Sequence, residues 1–233
     1  MDVLLHYFDK VDWADIWVAT GDTMLMLSTS LVFTVLVGLP LGVLLFLFSP
    51  RQLLEQKATY GVLAFIVNAI RSLPFIILLI VMIPTTIFIT GTSLGVAGAI
   101  PPLVVGASTF FARLVETALR EVDRGIIEAT QAMGATTRQI ITKALLPEAK
   151  PGIIAAITVT AIALVGYTAM AGVVGAGGLG DLAIRYGYQR FQDDVMVVTV
   201  VMLIVLVQIL QTIGDKLVTC LLYTSDAADE RSS

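Results

Sequence analysis

The sequence predicts an all-α integral membrane protein with about five transmembrane helices. Hydrophobic residues make up 57% of the 233 residues and charged residues only 14%, against about 25% charged residues in a soluble domain. Four runs without any charge span 23–50, 72–112, 151–180 and 195–214, and they hold 28, 41, 30 and 20 residues. A bilayer core about 30 Å thick takes roughly 20 apolar residues per helix, and a backbone in lipid must satisfy its own hydrogen bonds. Three runs therefore fit one helix each, and the run of 41 residues fits two.

The predicted spans cover residues 22–48, 60–84, 94–114, 152–174 and 195–217. Pro84, Gly91 and Ser93 are typical turn residues and separate the second span from the third. The alternating pattern of a membrane β-barrel is absent. Residues 22–218 therefore form one predicted transmembrane domain, with a long polar loop at 120–150.

Both ends of the chain differ from this domain. Residues 1–21 are predicted to be a lead that is not a cleavable signal, because aspartates precede the first apolar run where a cleaved signal would carry positive charge. The loop charges considered next predict that this lead is extracytoplasmic. Trp13 and Trp17 share one face of a short helix, either as an interfacial aromatic anchor or as an ordinary amphipathic start. Residues 219–233 are polar and without periodicity, and we interpret them as a non-native or disordered tail after a span that ends near Asp215.

Loop charges predict the orientation of the spans. The loops at 49–59 and 113–150 carry eight lysines and arginines, whereas the loops at 1–21, 85–93 and 175–194 carry three. Loops rich in Lys and Arg stay in the cytoplasm. Five spans then place the N-terminus outside and the C-terminus inside. The net charge of −4 argues against a nucleic-acid partner.

The loop at 120–150 is predicted to hold two short helices on the membrane surface. Asp123 precedes the first helix, where the helix dipole favours a negative charge. Ile126, Ala129 and Met133 are spaced i, i+3, i+7 and are expected to form its apolar face. Gly134 is expected to end it in a left-handed conformation.

The second helix of the loop is expected to start at a threonine cap, Thr136 or Thr137. Its predicted apolar face consists of Ile140, Ile141, Ala144 and Leu145. Pro147 is expected to stop it.

Small residues recur in this loop at Ala129, Ala132, Gly134 and Ala135. Small side chains let another protein approach the backbone closely, as when a helix docks in a groove of its partner. The alternative is an interfacial helix that packs only on its own bundle.

The spacing of this loop resembles a known family motif. Glu128-Ala129, then Gly134, then Leu146-Pro147 are similar to the EAA loop of binding-protein-dependent ABC importers, with Thr130 and Ala144 as small departures. The resemblance implies that this loop couples the permease to an ATPase. The implied coupling residues are Glu128, Ala129, Ala132, Met133, Gly134, Ala135, Leu146 and Pro147.

Three further stretches resemble the permeases of D/L-methionine uptake importers: NAIRSLPFIILL at 68–79, GATTRQIITKALLPEAKPG at 134–152, and LVGYTAM with VGAGGLG at 164–180. The resemblance runs from about residue 22 to residue 218. It implies the permease fold of type I ABC importers in a bacterial inner membrane, and a homodimer that carries two copies of a cytoplasmic ATPase. It also implies an extracytoplasmic methionine-binding lipoprotein. ATP and magnesium would be bound by the ATPase, so the chain itself is expected to hold no cofactor and to be no enzyme.

Four residues near or inside the spans are further candidates. Arg71 either extends to the lipid headgroups or pairs with a carboxylate of the EAA loop or the ATPase, and Pro74 is expected to kink the second span or sit in its first turn. Tyr167 and Met170 lie among small residues that bring helices close. They are interpreted either as ordinary packing residues or as the lining of a gate, where the thioether of methionine adapts its shape.

Other functions are less consistent with the sequence. A secondary transporter would need ionisable residues within the spans or an inverted repeat, and a membrane enzyme would need clustered His, Asp or Glu. His6 is the only histidine, so a histidine-based metal site is excluded. A permease for another small amino acid remains an alternative to one for methionine.

Overall fold

The computed structural model describes residues 11–230, the last nine of them by their backbone alone, and every element in this range is helical. The α-helices are α1 (Trp13–Phe48), α2 (Lys57–Ser72), α3 (Phe75–Val81), α4 (Ile83–Thr90), α5 (Gly95–Arg120), α6 (Arg124–Ala132), α7 (Thr137–Gln139), α8 (Leu146–Glu148), α9 (Lys150–Gly172), α10 (Gly178–Leu182) and α11 (Asp193–Glu230). Two π-helical turns, Ile140–Leu145 and Ala183–Tyr188, follow α7 and α10. The predicted all-α class is confirmed.

Four of these helices are long and apolar enough to cross a membrane by themselves. They are α1, α5, α9 and the Asp193–Leu221 part of α11. The bent pair of α2 and α3 passes the same test when it is counted as one span. The count of five predicted from the sequence holds on this condition.

The second span is not the continuous helix predicted for 60–84. Helix α2 ends at Ser72, and α3 starts at Phe75 at an angle of 105° to it. Pro74 precedes α3 with φ −55° and ψ 135°, an extended conformation that cannot continue α2. A proline also clashes with the helical conformation of the residue before it, which explains why the break falls here.

The first and last helices both extend beyond their predicted limits. Helix α1 begins at Trp13 instead of residue 22, because the Asp12 carboxylate accepts hydrogen bonds from the backbone N–H groups of Ala14 (2.9 Å) and Asp15 (3.4 Å). Residues 1–10 of the predicted lead lie outside the described residues. Helix α11 runs to Glu230 instead of ending near residue 217, since no Gly or Pro interrupts residues 217–230. The non-native origin of residues 219–233 stays a prediction.

The chain forms two compact units, and the first combines residues up to Phe33 with Leu73–Ala107 and Ala161–Leu210. Its core brings the start of α1 together with α10 and the start of α11 through Ile16, Leu179 and Val195. Thr23 fixes the glycine-rich turn before α10, because its buried hydroxyl oxygen accepts a hydrogen bond from the Leu179 N–H (2.9 Å). Gly178 is required there: its φ is +82°, and a Cβ would lie 2.7 Å from the Thr23 Oγ1.

The second unit combines Thr34–Ser72, Ser108–Thr160 and the chain from Gln211. Its main core joins α1, α5 and the loop after α5, with Phe46, Phe111 and Leu145 among the buried side chains. Helix α1 approaches α5 at Gly42, where an added Cβ would lie 2.6 Å from the Ala112 carbonyl oxygen. Small residues allow this close approach of two apolar helices.

Candidate coupling loop and pathway residues

The first helix of the loop, α6, has defined ends. The Asp123 carboxylate accepts a hydrogen bond from the Gly125 N–H (2.7 Å) and caps the N-terminus. At the other end Gly134 has φ +77°, and the Gly134 and Ala135 N–H groups donate to the Gln131 and Thr130 carbonyls. This is a Schellman C-cap, and the predicted left-handed Gly134 is confirmed.

The buried face of α6 differs from the prediction. Ile127 is buried in the core of the second unit and Ile126 packs against it. Ala129 is exposed, and Met133 is 78% exposed. The predicted face of Ile126, Ala129 and Met133 was therefore wrong, because the helix turns the two isoleucines inward together.

The opposite face of α6 is exposed on the surface of the chain. It presents the predicted coupling residues Glu128, Ala129, Ala132 and Met133, and Gly134 follows them in an equally exposed position. An added Cβ at Gly134 would meet no heavy atom within 4 Å. A cleft beside this face is lined by Arg51, Gln52, Leu53, Arg124, Ile127, Glu128 and Gln131.

The second helix of the loop starts as predicted and continues further than predicted. The Thr136 hydroxyl accepts a hydrogen bond from the Gln139 N–H (3.4 Å), and the Gln139 side chain accepts one from the Thr136 N–H (2.8 Å). This capping box selects Thr136 over Thr137. Pro147 does not stop the helix: α8 continues directly from the π-helical turn at Ile140–Leu145, and Pro147 lies in its first turn.

The outer residues of the loop differ in burial. Ile140 and Leu145 are buried in the same core as Ile127, as the predicted apolar face requires. Ala135 and Leu146 are half-buried against that core, whereas Pro147 is exposed. The predicted coupling residues thus divide into exposed residues, on α6 and at Gly134 and Pro147, and anchoring residues at Ala135 and Leu146.

Arg71 lies in the last turn of α2, with its guanidinium carbon 5.8 Å from the centroid of the Phe110 ring. This arrangement is a cation–π contact with α5 at its outer range. The pairing of Arg71 with a carboxylate of the EAA loop or the ATPase stays a prediction. Pro74 lies at the break described above.

The pathway candidates lie near the end of α9 in the first unit. The Tyr167 ring stacks on the Phe75 ring with 4.6 Å between centroids and 8° between planes. Phe75 is the first residue of α3, directly after the break at Pro74. Met170, three residues further along α9, is 48% exposed.

A buried carboxylate near the end of α5 was not predicted from the sequence. Glu116 is 3% exposed and pairs with Arg113 (2.6 Å) and Arg120 (2.7 Å). The predicted third span ended at residue 114, so Arg113 and Arg120 were counted as loop charges and Glu116 was placed in the loop. Their spacing could have predicted this cluster. Arg113 lies three residues before Glu116 and Arg120 lies four residues after it, which places all three on one face of a helix.

These features define a polytopic helical membrane protein with a surface helix pair between two of its spans. In the described part of the chain, no group of three or more His, Cys, Asp or Glu side chains could hold a metal ion. Residues 38–220 match the family described as binding-protein-dependent transport system inner membrane component, and the chain belongs to this family.

Two relatives are similar along most of their length. The chain is 50% identical over 209 residues to the methionine import system permease protein MetP of Bacillus subtilis, covering 90% of this chain and 94% of that protein. It is 52% identical over 200 residues to a protein of Vibrio cholerae described as "Probable D-methionine transport system permease protein MetI", covering 86% and 89%. The family resemblance found in the sequence is confirmed.

Solved structures agree with this assignment. A structure described as inward facing conformations of the MetNI methionine ABC transporter superposes with a TM-score of 0.88 at 47% identity, covering 91% of this chain and 99% of that one. An amino acid ABC transporter shares the fold with a TM-score of 0.67 at 16% identity. The predicted permease fold of ABC importers is thereby confirmed.

Proposed function

We propose that this chain is the permease subunit of an ABC importer that moves D- and L-methionine into the cell. The observation that carries the proposal is the identity of about half of the aligned residues to permeases described as methionine transport proteins, over most of the chain. The chain itself binds no nucleotide in this proposal, and a separate subunit hydrolyses ATP with bound magnesium.

The exposed face of α6 is the proposed contact with that ATPase. Ile127 anchors the helix in its own bundle, while Glu128, Ala129, Ala132 and Met133 face away from it. This two-sided arrangement supports a docking helix over an interfacial helix that packs only on its own bundle, because the latter would leave Met133 without a role. Two such permeases would carry two ATPase subunits.

The substrate path is proposed to run between two copies of the chain. Met170 is about half exposed and follows Tyr167, whose ring stacks on Phe75, by three residues in α9. In a homodimer, two such methionines would face each other and form a gate of adaptable thioethers. A methionine-binding lipoprotein outside the membrane would deliver the substrate.

The orientation follows from the loop charges given above. The N-terminus lies outside and the C-terminus lies in the cytoplasm, which puts the α6 face on the side of the ATPase. Binding of ATP would draw the two α6 helices together, open the bundle to the outside and admit substrate. Hydrolysis would then restore the inward-facing state.

Transport by the reconstituted complex tests this proposal. The chain, its co-purifying ATPase and the binding protein are placed in liposomes, and uptake of labelled L- and D-methionine is measured with ATP and with a non-hydrolysable analogue. We expect uptake with ATP only. Uptake without ATP would favour a secondary transporter, and displacement of methionine by a different small amino acid at lower concentration would favour that substrate.

A further inference from the structure

Glu116 lies at the centre of a buried polar cluster in the second unit. Its carboxylate accepts hydrogen bonds from Arg113 (2.6 Å), Arg120 (2.7 Å) and the Tyr60 hydroxyl (3.2 Å). Its side chain is only 4% exposed, against 17% for Arg113 and 42% for Arg120. A carboxylate so buried is costly unless donors surround it, and here three do.

The cluster joins α5 to α2. Arg113 donates one hydrogen bond to the Asn68 side-chain oxygen (3.0 Å) and one to the Ala64 carbonyl (3.2 Å), both on α2. Tyr60 belongs to the first turn of α2 and donates directly to Glu116. Three residues of α2 are therefore held by the side chains of two residues of α5.

The same carboxylate also holds the start of the coupling loop. Arg120 is the last residue of α5, and Asp123, which caps α6, follows three residues later. A short connection therefore joins α6 to Arg120. Because Arg120 and Tyr60 donate to the same Glu116 oxygen, one carboxylate links this connection to α2.

Apolar side chains could hold two helices together without the desolvation cost of buried charges. They would not fix the helices along their axes, since apolar contacts have no preferred direction. Hydrogen bonds to ionised groups are short and directional. The cluster is thus suited to keeping α2 and α5 in one register while the loop moves.

We propose that Glu116 is a positioning residue for energy coupling, which transmits the motion of α6 to α2. This inference rests on the proposed function, in which α6 receives the motion of an ATPase. Its specific content is that loss of the carboxylate charge separates ATP hydrolysis from transport without preventing assembly.

The test compares Glu116→Gln with the wild type in the reconstituted complex. Methionine transported per ATP hydrolysed is measured with radiolabelled L-methionine, and the assembled complex is quantified by size-exclusion chromatography. We expect the ratio to fall at least tenfold. The control is Glu55→Gln, which removes an exposed carboxylate and should leave the ratio unchanged. Among the described residues, Glu55 has a surface ion pair with Lys57 at 3.8 Å and accepts a hydrogen bond from the Arg51 N–H (3.0 Å), which the glutamine oxygen can still accept.

A purely structural role would lower the amount of assembled complex and leave the ratio of the remaining complex at the wild-type value, which would overturn the proposal. If Glu116→Gln does not assemble, Tyr60→Phe decides, because it removes one link to α2 and keeps both ion pairs. A fall of about tenfold in the ratio is expected for the loss of one hydrogen bond to an ionised carboxylate, and an unchanged ratio overturns the proposal. A wild type that imports no methionine would instead contradict the proposed function.

Discussion

Substitutions of Gly134 separate two reasons for a glycine in the coupling loop. Its φ of +77° favours glycine, and the space around its Cα is empty within this chain. Alanine in a left-handed conformation costs about 1–2 kcal/mol, whereas asparagine adopts it more readily. About 1.4 kcal/mol corresponds to a tenfold change in an equilibrium constant, so Gly134→Ala should lower the ratio of the correct turn to other conformations by about tenfold.

If conformation were the only requirement, Gly134→Asn would behave like the wild type. If an ATPase surface lies against Gly134, the larger asparagine side chain blocks it although the turn is preserved. We therefore expect Gly134→Asn and Gly134→Asp to insert and assemble their bundles normally but to lose uptake per ATP more severely than Gly134→Ala. The assay is uptake of labelled methionine and ATP hydrolysis in the same liposomes.

Gly91 provides a matched control. It has the same φ of +77° and equally empty surroundings, but it ends α4 in a loop predicted to lie outside the cell. Gly91→Asn should leave coupling unchanged. Full coupling in Gly134→Asn together with a loss in Gly134→Ala would refute the reasoning, since the glycine would then serve only its backbone conformation.

Two further substitutions test the helix contacts. Gly42→Ala should destabilise the chain by about 1–3 kcal/mol, because the added Cβ would meet the Ala112 backbone. Gly61→Ala on α2 is the control, since its Cβ would meet nothing within 4 Å, and it should be neutral or stabilising. Both are measured by thermal unfolding in detergent. Thr23→Val should cost about 1–3 kcal/mol by leaving the buried Leu179 N–H without its acceptor. In the same assay Thr160→Val, which removes only a bond to the Ala156 carbonyl, should change little, and equal effects of the two valines would contradict this account.

The spans and the helix caps could be predicted from the sequence because their causes are local. A charge-free run is long enough for a helix wherever it lies, and the left-handed Gly134 and the Thr136 cap depend on neighbours within a few residues. Helix ends were less predictable. The start of α1 at Trp13 depends on a single aspartate cap, which the hydropathy of the following residues does not reveal.

Contacts between distant residues could not be predicted in this way. The stacking of Phe75 on Tyr167 joins residues 92 positions apart in the sequence, and nothing near Phe75 identifies its partner. The prediction of which face of α6 is buried was wrong for the same reason. Ile126, Ala129 and Met133 have a helical spacing, but the position of the core, which only the fold supplies, decides which side of α6 is buried.

In this protein, buried polar groups indicate function more clearly than exposed apolar ones. Large exposed apolar side chains are expected on every span, because lipid covers them, so Phe88 or Phe65 identifies no partner. A buried carboxylate has no such default explanation and must be held by donors. Glu116 meets this condition at the point where a span passes into the coupling loop. Glu116, which the predicted span limits placed in the loop, is therefore the residue most suited to connect that loop to the bundle.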